Sequence, residues 1–184
     1  MRARSDQTPM ATIATDAFSG ERGSQLTLRV LVTLAALAEL VDSASRVPVL
    51  FLDHSQIPGP GLAAAAGLTA IALKPLLSIT AIGCALTNWP RAAVCALACV
   101  GICTWFNDLP SVLSHGLDTS FSLVSLQLLT DAGLVLPVAI AAIWLALRTN
   151  RLGLAAGLAC LPAAFKLCVL IFFVFVVTTG IHPF

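Results

Sequence analysis

Five ionisable side chains interrupt otherwise apolar segments of the sequence, and these residues are the best candidates for chemistry. They are Lys74, Lys166, Glu39, Asp42 and Asp131. An isolated charge at the centre of a membrane helix costs about 2.5–3.5 kcal/mol on insertion scales, so we expect each amine to pair with an acid from a neighbouring helix. Such pairs either fix the register of the helices or line a pathway for protons or ions. The residue types alone leave both interpretations open.

Depth along the helices suggests which of these charges meet. At 1.5 Å per residue, Asp131 and Lys166 both lie more than about 10 Å below the same membrane surface, so we predict that these two residues pair. Lys74 is then left for Glu39 or Asp42. These two acids are three residues apart and therefore project from one face of a helix, which we expect to point inward.

Prolines accompany the lysines. Pro75 follows Lys74 directly, and Pro162 precedes Lys166 by four residues; Pro137 lies in the segment that carries Asp131. Proline lacks an N–H, so it kinks a helix and leaves the carbonyl four residues earlier without its partner. Those carbonyls belong to Ile71 and Leu158, which places a free acceptor close to each lysine.

A stripe of thiols marks another segment. Cys95, Cys99 and Cys103 recur every four residues, a spacing that could pass a soft ion such as Cu(I), although no methionine or histidine extends the stripe. Cysteine is also a small apolar residue that packs well, and packing is the favoured interpretation. None of the six cysteines forms a CxxC pair, so neither a disulfide framework nor a thioredoxin-like motif is predicted.

The three histidines, His54, His115 and His182, all fall on the predicted outer side. Histidine with nearby carboxylates suits zinc or copper, but no ligand spacing such as HxxxH occurs, so these residues are weak metal candidates beside the simpler interpretation as interfacial polar groups. The sequence contains no GxSxG, P-loop, GxGxxG or HExxH motif. We therefore expect no catalytic residues and no cofactor, with quinone or a metal as an alternative that no motif supports; an enzyme acting on lipid or quinone at the outer face is the weakest alternative function.

The composition is that of a membrane protein. Of 184 residues, 58% are hydrophobic and 10% are charged, and the mean hydropathy is +0.95; soluble domains have roughly 25% charged residues. The net charge of +1 argues against nucleic acid as a partner. Lipid and other membrane proteins, or further copies of this chain, are the expected partners.

The hydrophobic pattern predicts an all-α bundle of five transmembrane helices in one domain, residues 26–184, behind a disordered cytoplasmic tail, residues 1–25. The predicted spans are 26–47, 61–89, 92–106, 123–147 and 152–180. Four spans plus one interfacial helix is the alternative. Gly153 and Gly157 form a GxxxG at the start of the fifth span, where we predict close contact with another helix.

Basic residues set the predicted orientation. With five spans, six arginines fall on the side of the N-terminus, and Arg46 alone falls on the other. They are Arg2, Arg4, Arg22, Arg91, Arg148 and Arg151. By the positive-inside rule the N-terminus is cytoplasmic and the C-terminus lies outside an inner or plasma membrane.

The order LRVLVTLAALAEL, PGPGLAAAAGL and IGCALTNWPRAAVCALACVGICTW resembles the DoxX-type small membrane proteins. Arg29, Pro58, Gly61 and Arg91 occupy the matching positions, and the resemblance covers about residues 26–148. The sequence departs from the family pattern at Lys74, where an acid is usual, and in its fifth helix. The resemblance implies a non-catalytic accessory or assembly subunit beside a quinone-linked or thiol-linked redox complex. The alternative from the charge pattern is a small proton-coupled carrier or channel.

Overall fold

The computed structural model describes residues 10–51, 61–115, 131–148 and 151–179 of the chain. Within these ranges all regular secondary structure is helical. The helices are α1 (Met10–Arg46), α2 (Gly61–Leu86), α3 (Pro90–His115), α4 (Leu136–Arg148) and α5 (Leu152–Thr179). A short 3₁₀ helix, Val47–Phe51, follows α1, and a π-helical turn, Asp131–Val135, precedes α4. The prediction of an all-α protein is confirmed for this part of the chain.

Four of the helical segments are long and apolar enough to cross a membrane. They are Gly23–Arg46, Gly61–Leu86, Pro90–Asn107 and Leu152–Val176. The fourth predicted span, 123–147, begins outside the described residues, and its described apolar part, Gly133–Arg148, is shorter than a full span. The fold therefore fits a small helical membrane protein, and the count of five spans stays a prediction.

Two helices extend beyond their predicted limits. Helix α1 begins at Met10, inside the segment 1–25 that we expected to be irregular, and only its part from Gly23 onward is apolar enough to span. Helix α3 continues to His115, through residues expected to form a polar loop. In both places polar residues continue a helix that an adjoining apolar segment has already started, because adding a residue to a helix is far easier than nucleating one.

The helices form a closed arrangement in which α3 has the most neighbours. Helix α2 packs between α1 and α3, α4 packs against α3 and α5, and α5 returns to contact α1. The interior of this arrangement is rich in alanine; Ala36, Ala81, Ala93, Ala142 and Ala155 are all fully or almost fully buried. Small side chains let helix backbones approach closely, which is how helices associate in a membrane, where lipid removes most of the hydrophobic driving force.

The connection between α2 and α3 fixes one end of the bundle. Asn88 adopts a left-handed backbone conformation (φ 69°) just after α2, and the N–H of Trp89 donates to the carbonyl of Cys84 at 2.9 Å. This is the 6→1 bond of a Schellman motif, in which asparagine is one of the few residues that tolerate the left-handed position. The side chain of Arg29 on α1 donates to the Asn88 amide oxygen and so joins α1 to this turn.

The same end of the bundle carries four arginines. Arg29 lies beside the α2–α3 turn, Arg91 opens α3, and Arg148 and Arg151 flank the junction of α4 and α5. The helix order and contacts bring these positions to one end, while Arg46 lies at the other end of α1. Arg91, Arg148 and Arg151 therefore lie at the end of the bundle opposite Arg46, and the side of the membrane that this end faces stays a prediction.

Candidate functional site

A cluster of four charges lies inside the bundle, where α1, α2 and α5 meet. Glu39 and Asp42 come from α1, Lys74 from α2 and Lys166 from α5. Two carboxylates and two ammonium groups give the cluster a formal charge of zero. We call these four residues the charge cluster.

Glu39 is the centre of the charge cluster. One of its carboxylate oxygens lies 3.0 Å from the Nζ of Lys74. Lys166 donates to both carboxylate oxygens, at 3.0 and 3.1 Å. Glu39 is only 4% exposed, and a carboxylate removed from water at this depth needs such charge-assisted hydrogen bonds on both oxygens.

Asp42 forms the outer part of the charge cluster. Its Oδ2 accepts a hydrogen bond from Lys74 at 2.6 Å and lies 3.6 Å from the Nζ of Lys166. The side chains of Asp42 and Lys166 are 35% and 32% exposed, whereas those of Glu39 and Lys74 are both 5% exposed. The cluster therefore has a buried pair and a pair that reaches the surface of the bundle.

The local sequence explains how each of these side chains is placed. Glu39 and Asp42 are three residues apart on α1, so they project from one face, and the buried Ser43 lies beside them. Lys74 follows the small buried residues Ala63, Gly67 and Ala70, which mark the face of α2 that packs inward. The lysine is on that face because it continues this spacing of three and four residues.

Lys166 contacts Glu39 and Asp42, the two acids that the depth estimate leaves to Lys74 alone. The sequence predicts that Lys166 pairs with Asp131, but its amine lies against Glu39 and Asp42 of α1. The side chain of Asp131 lies outside the described part of the structure. Depth estimates cannot reveal this grouping, because they place residues along a helix axis and contain no information on which helices are neighbours. The sequence does contain one indication of this grouping. The two acids on one face of α1 equal in number the two lysines on two other helices.

Small cavities border the charge cluster on two sides. One is lined by Glu39 together with Leu97, Ala98, Gly101, Leu158 and Pro162, among other residues of α3, α4 and α5. The other is lined by Ser43, Arg46, Ala70, Ile71, Lys74 and Asn107. Each leaves about 10 Å³ of space open to a water molecule. Pro75 and Pro162 both lie inside helices, and Pro137 is the second residue of α4.

The thiols on α3 face a different cavity. Cys99 and Cys103, with Leu73, Ile102 and Phe106, line an open and mainly apolar cavity of about 380 Å³ between α2 and α3. Cys95 is partly buried and packs against the alanine-rich core. Within the described residues no group of three or more metal-ligating side chains comes together. His54 and His182 fall outside the described residues, as does the side chain of His115.

Among the described residues, the GxxxG on α5 contacts no other helix. Gly153 and Gly157 are both exposed, and a Cβ atom built on either would meet nothing within 4 Å. Gly101 on α3 does lie against neighbouring residues of another segment, because a Cβ there would meet Val135 at 3.4 Å and Ala139 at 3.5 Å. The described part of the bundle therefore leaves this face of α5 uncovered, and the contact at 153 and 157 stays a prediction.

No family model, no curated protein and no solved structure matches the chain.

Proposed function

We propose that this protein is a non-catalytic assembly subunit of a membrane complex, and that its partner packs over the surface formed by Asp42 and Lys166. The observation that supports the proposal is the partial exposure of these two charges on helices that are otherwise membrane-spanning. Lys166 lies near the middle of α5, about 20 Å from either end at 1.5 Å per residue. A charge that far from the helix ends is costly to leave against hydrocarbon.

A partner helix over this surface removes that cost. The charge cluster is already neutral, so the partner needs no compensating charge; polar side chains that hydrogen-bond to Asp42 and Lys166 are sufficient. The rest of α5 toward its C-terminus presents apolar side chains to its surroundings, including Leu170 and Phe172, which are 58% and 66% exposed. These suit lipid or the apolar part of the same partner. Another membrane protein is the proposed partner, with a second copy of this chain as the alternative.

The resemblance to DoxX-type proteins is the reason to propose a redox complex as the partner. Under it, the partner is a quinone-linked or thiol-linked redox complex of an inner or plasma membrane. The arginine-rich end of the bundle then faces the cytoplasm by the positive-inside rule, with the N-terminus on that side.

The experiment is purification of the tagged protein from its native membrane in mild detergent. A large membrane protein in fixed stoichiometry supports the assembly role. The variant that tests the surface combines Asp42→Asn with Lys166→Met, because it leaves the Glu39–Lys74 ion pair intact and neutral. We expect the variant to fold and to lose the partner, whereas Ile140→Ala, at an exposed position on α4, keeps it. A wild-type protein that purifies alone, or a double variant that retains its partner, contradicts the proposal.

A second candidate is a small proton-coupled carrier or channel. It is favoured by the continuity of the charge cluster, which runs from the partly exposed Asp42 through Lys74 to the buried Glu39 with separations of 2.6 and 3.0 Å. Such chains of acids and amines carry protons in membrane transporters. Lys74→Met separates the two functions. The carrier predicts normal assembly with transport lost, while the assembly subunit predicts impaired folding or partner loss.

A further inference from the structure

We propose that two internal water molecules bind at the charge cluster, each held by a main-chain carbonyl that a proline has released from its helix. The sites are the two small cavities beside Glu39 and beside Lys74. The inference concerns the interior of this chain and holds for either of the functions proposed above.

The first water site lies next to Glu39. Pro162 lies inside α5 and lacks an N–H, so the carbonyl of Leu158 has no partner four residues later. Leu158, Pro162 and Glu39 all line the same cavity. A buried carbonyl without a hydrogen bond is costly, and a water molecule is the simplest donor that this space can hold.

The carboxylate of Glu39 has capacity for this water. An ionised carboxylate has about four lone-pair positions. Lys74 and Lys166 together make three contacts with it. A water in the first cavity then donates one hydrogen to Glu39 and the other to the carbonyl of Leu158, which gives it the two or more polar partners that a buried water requires.

The second water site lies next to Lys74 and is built in the same way. Pro75 lies inside α2 and releases the carbonyl of Ile71, and Ile71 and Lys74 line the second cavity together with Ser43. The ammonium of Lys74 has three N–H donors, of which two face Glu39 and Asp42. The third is available to the water.

Ser43 completes the second site. Its hydroxyl donates to the carbonyl of Leu40 at 2.8 Å, so its oxygen can still accept a hydrogen. The water accepts from Lys74 and donates to Ile71 and Ser43, which makes three hydrogen bonds. This is the usual number for a buried water, and a space of about 10 Å³ matches a single molecule.

The two sites lie at different depths on α3. The first cavity is lined by residues 97–101 of that helix and the second by Asn107, a separation of about 10–15 Å along the axis. The charge cluster is thus hydrated on both sides. Hydration reduces the penalty of burying four charges, because each water supplies a hydrogen bond that the apolar surroundings cannot.

The test uses infrared difference spectra of the full chain in lipid nanodiscs, recorded after exchange from ordinary water into H₂¹⁸O. Bands of all water shift with the oxygen isotope, whereas protein bands do not, so the internal waters are the shifted bands that remain after the spectrum of the same nanodiscs without protein is subtracted. We expect isotope-shifted bands from the unsubstituted protein. Ala98→Val fills the first cavity and should remove one component; Ala70→Val fills the second and should remove another. Ala164→Val, at an exposed position of α5, is the control and should keep both.

A second pair of variants tests the role of the prolines. Pro162→Ala and Pro75→Ala restore the helical partners of Leu158 and Ile71, so each should weaken or abolish the same component as the matching valine variant. Pro137→Ala, outside both cavities, should leave the spectrum unchanged. The absence of isotope-shifted bands in the unsubstituted protein overturns the proposal. Components that persist in the valine variants, or that respond equally to Pro137→Ala, also overturn it.

Discussion

Lys166 donates two hydrogen bonds to the carboxylate of Glu39, at 3.0 and 3.1 Å, although 127 residues separate them in the sequence. The bond joins the last described helix to the first. Together with the ion pair between Glu39 and Lys74, it makes one buried acid the common partner of two helices. Buried ion pairs often add little net stability, but they penalise every arrangement that separates them, and so they fix helix order and register.

The stability of the turn after α2 should depend on whether residue 88 can adopt the left-handed conformation more than on the polarity of its side chain. Asn88→Gly keeps the left-handed conformation and loses only the acceptor for Arg29, so we expect a loss of less than about 1 kcal/mol. Asn88→Val places a β-branched residue at φ 69° and should cost at least about 1–2 kcal/mol. Thermal unfolding in detergent compares the two variants, with Arg29→Ala as the control for the hydrogen bond. Equal stabilities of the glycine and valine variants would argue against the left-handed turn.

Substitution of leucine for glycine should have different effects on stability at two positions. Gly157→Leu adds a side chain where nothing lies within 4 Å, so the unfolding temperature of the isolated protein should not fall. Gly101→Leu must push against Val135 and Ala139 and should lower stability by about 1–3 kcal/mol or more. The measurement is the unfolding temperature of both variants in the same detergent. If Gly157→Leu were as damaging as Gly101→Leu, the outward orientation of this face of α5 would be wrong.

The proposed orientation predicts which positions are accessible from each side of the membrane. In a cysteine-free background, Phe51→Cys should react with a membrane-impermeant maleimide in intact cells, because Phe51 is 84% exposed at the end opposite the arginines. Asn88→Cys and Arg151→Cys should react only after the membrane is permeabilised. Reaction of positions 88 and 151 from opposite sides would contradict the helix order, and reaction of both from outside would reverse the orientation.

The sequence is sufficient for the parts of the fold that depend on local physics. Long apolar segments, each with a single lysine, locate α2 and α5 to within a few residues, since length and hydropathy alone decide whether a helix can span. The start of α1 and the end of α3 differ from expectation, because continuation of a helix into polar residues has no hydropathy signal.

The sequence predicts which residues form the candidate site better than it predicts which of them pair. The cost of a charge in a membrane helix is enough to single out Glu39, Asp42, Lys74 and Lys166. Which acid meets which amine depends on the neighbours of each helix, and that information is tertiary. The helix contact at Gly153 and Gly157 stays a prediction for the same reason: no described residue of another helix lies within 4 Å of a Cβ there, and small residues permit close contact with a helix but do not determine which helix supplies it.

Charge reversal within the charge cluster tests the central claim most directly. Glu39→Lys leaves three ammonium groups around Asp42, so we expect it to destabilise the protein by at least about 3–5 kcal/mol, measured as denaturant unfolding in detergent. Adding Lys166→Glu, or separately Lys74→Glu, restores two charges of each sign and should recover most of that loss, because both lysines share the same acid. If Lys74→Glu rescues and Lys166→Glu does not, Lys166 has a different partner and the account of the charge cluster is contradicted.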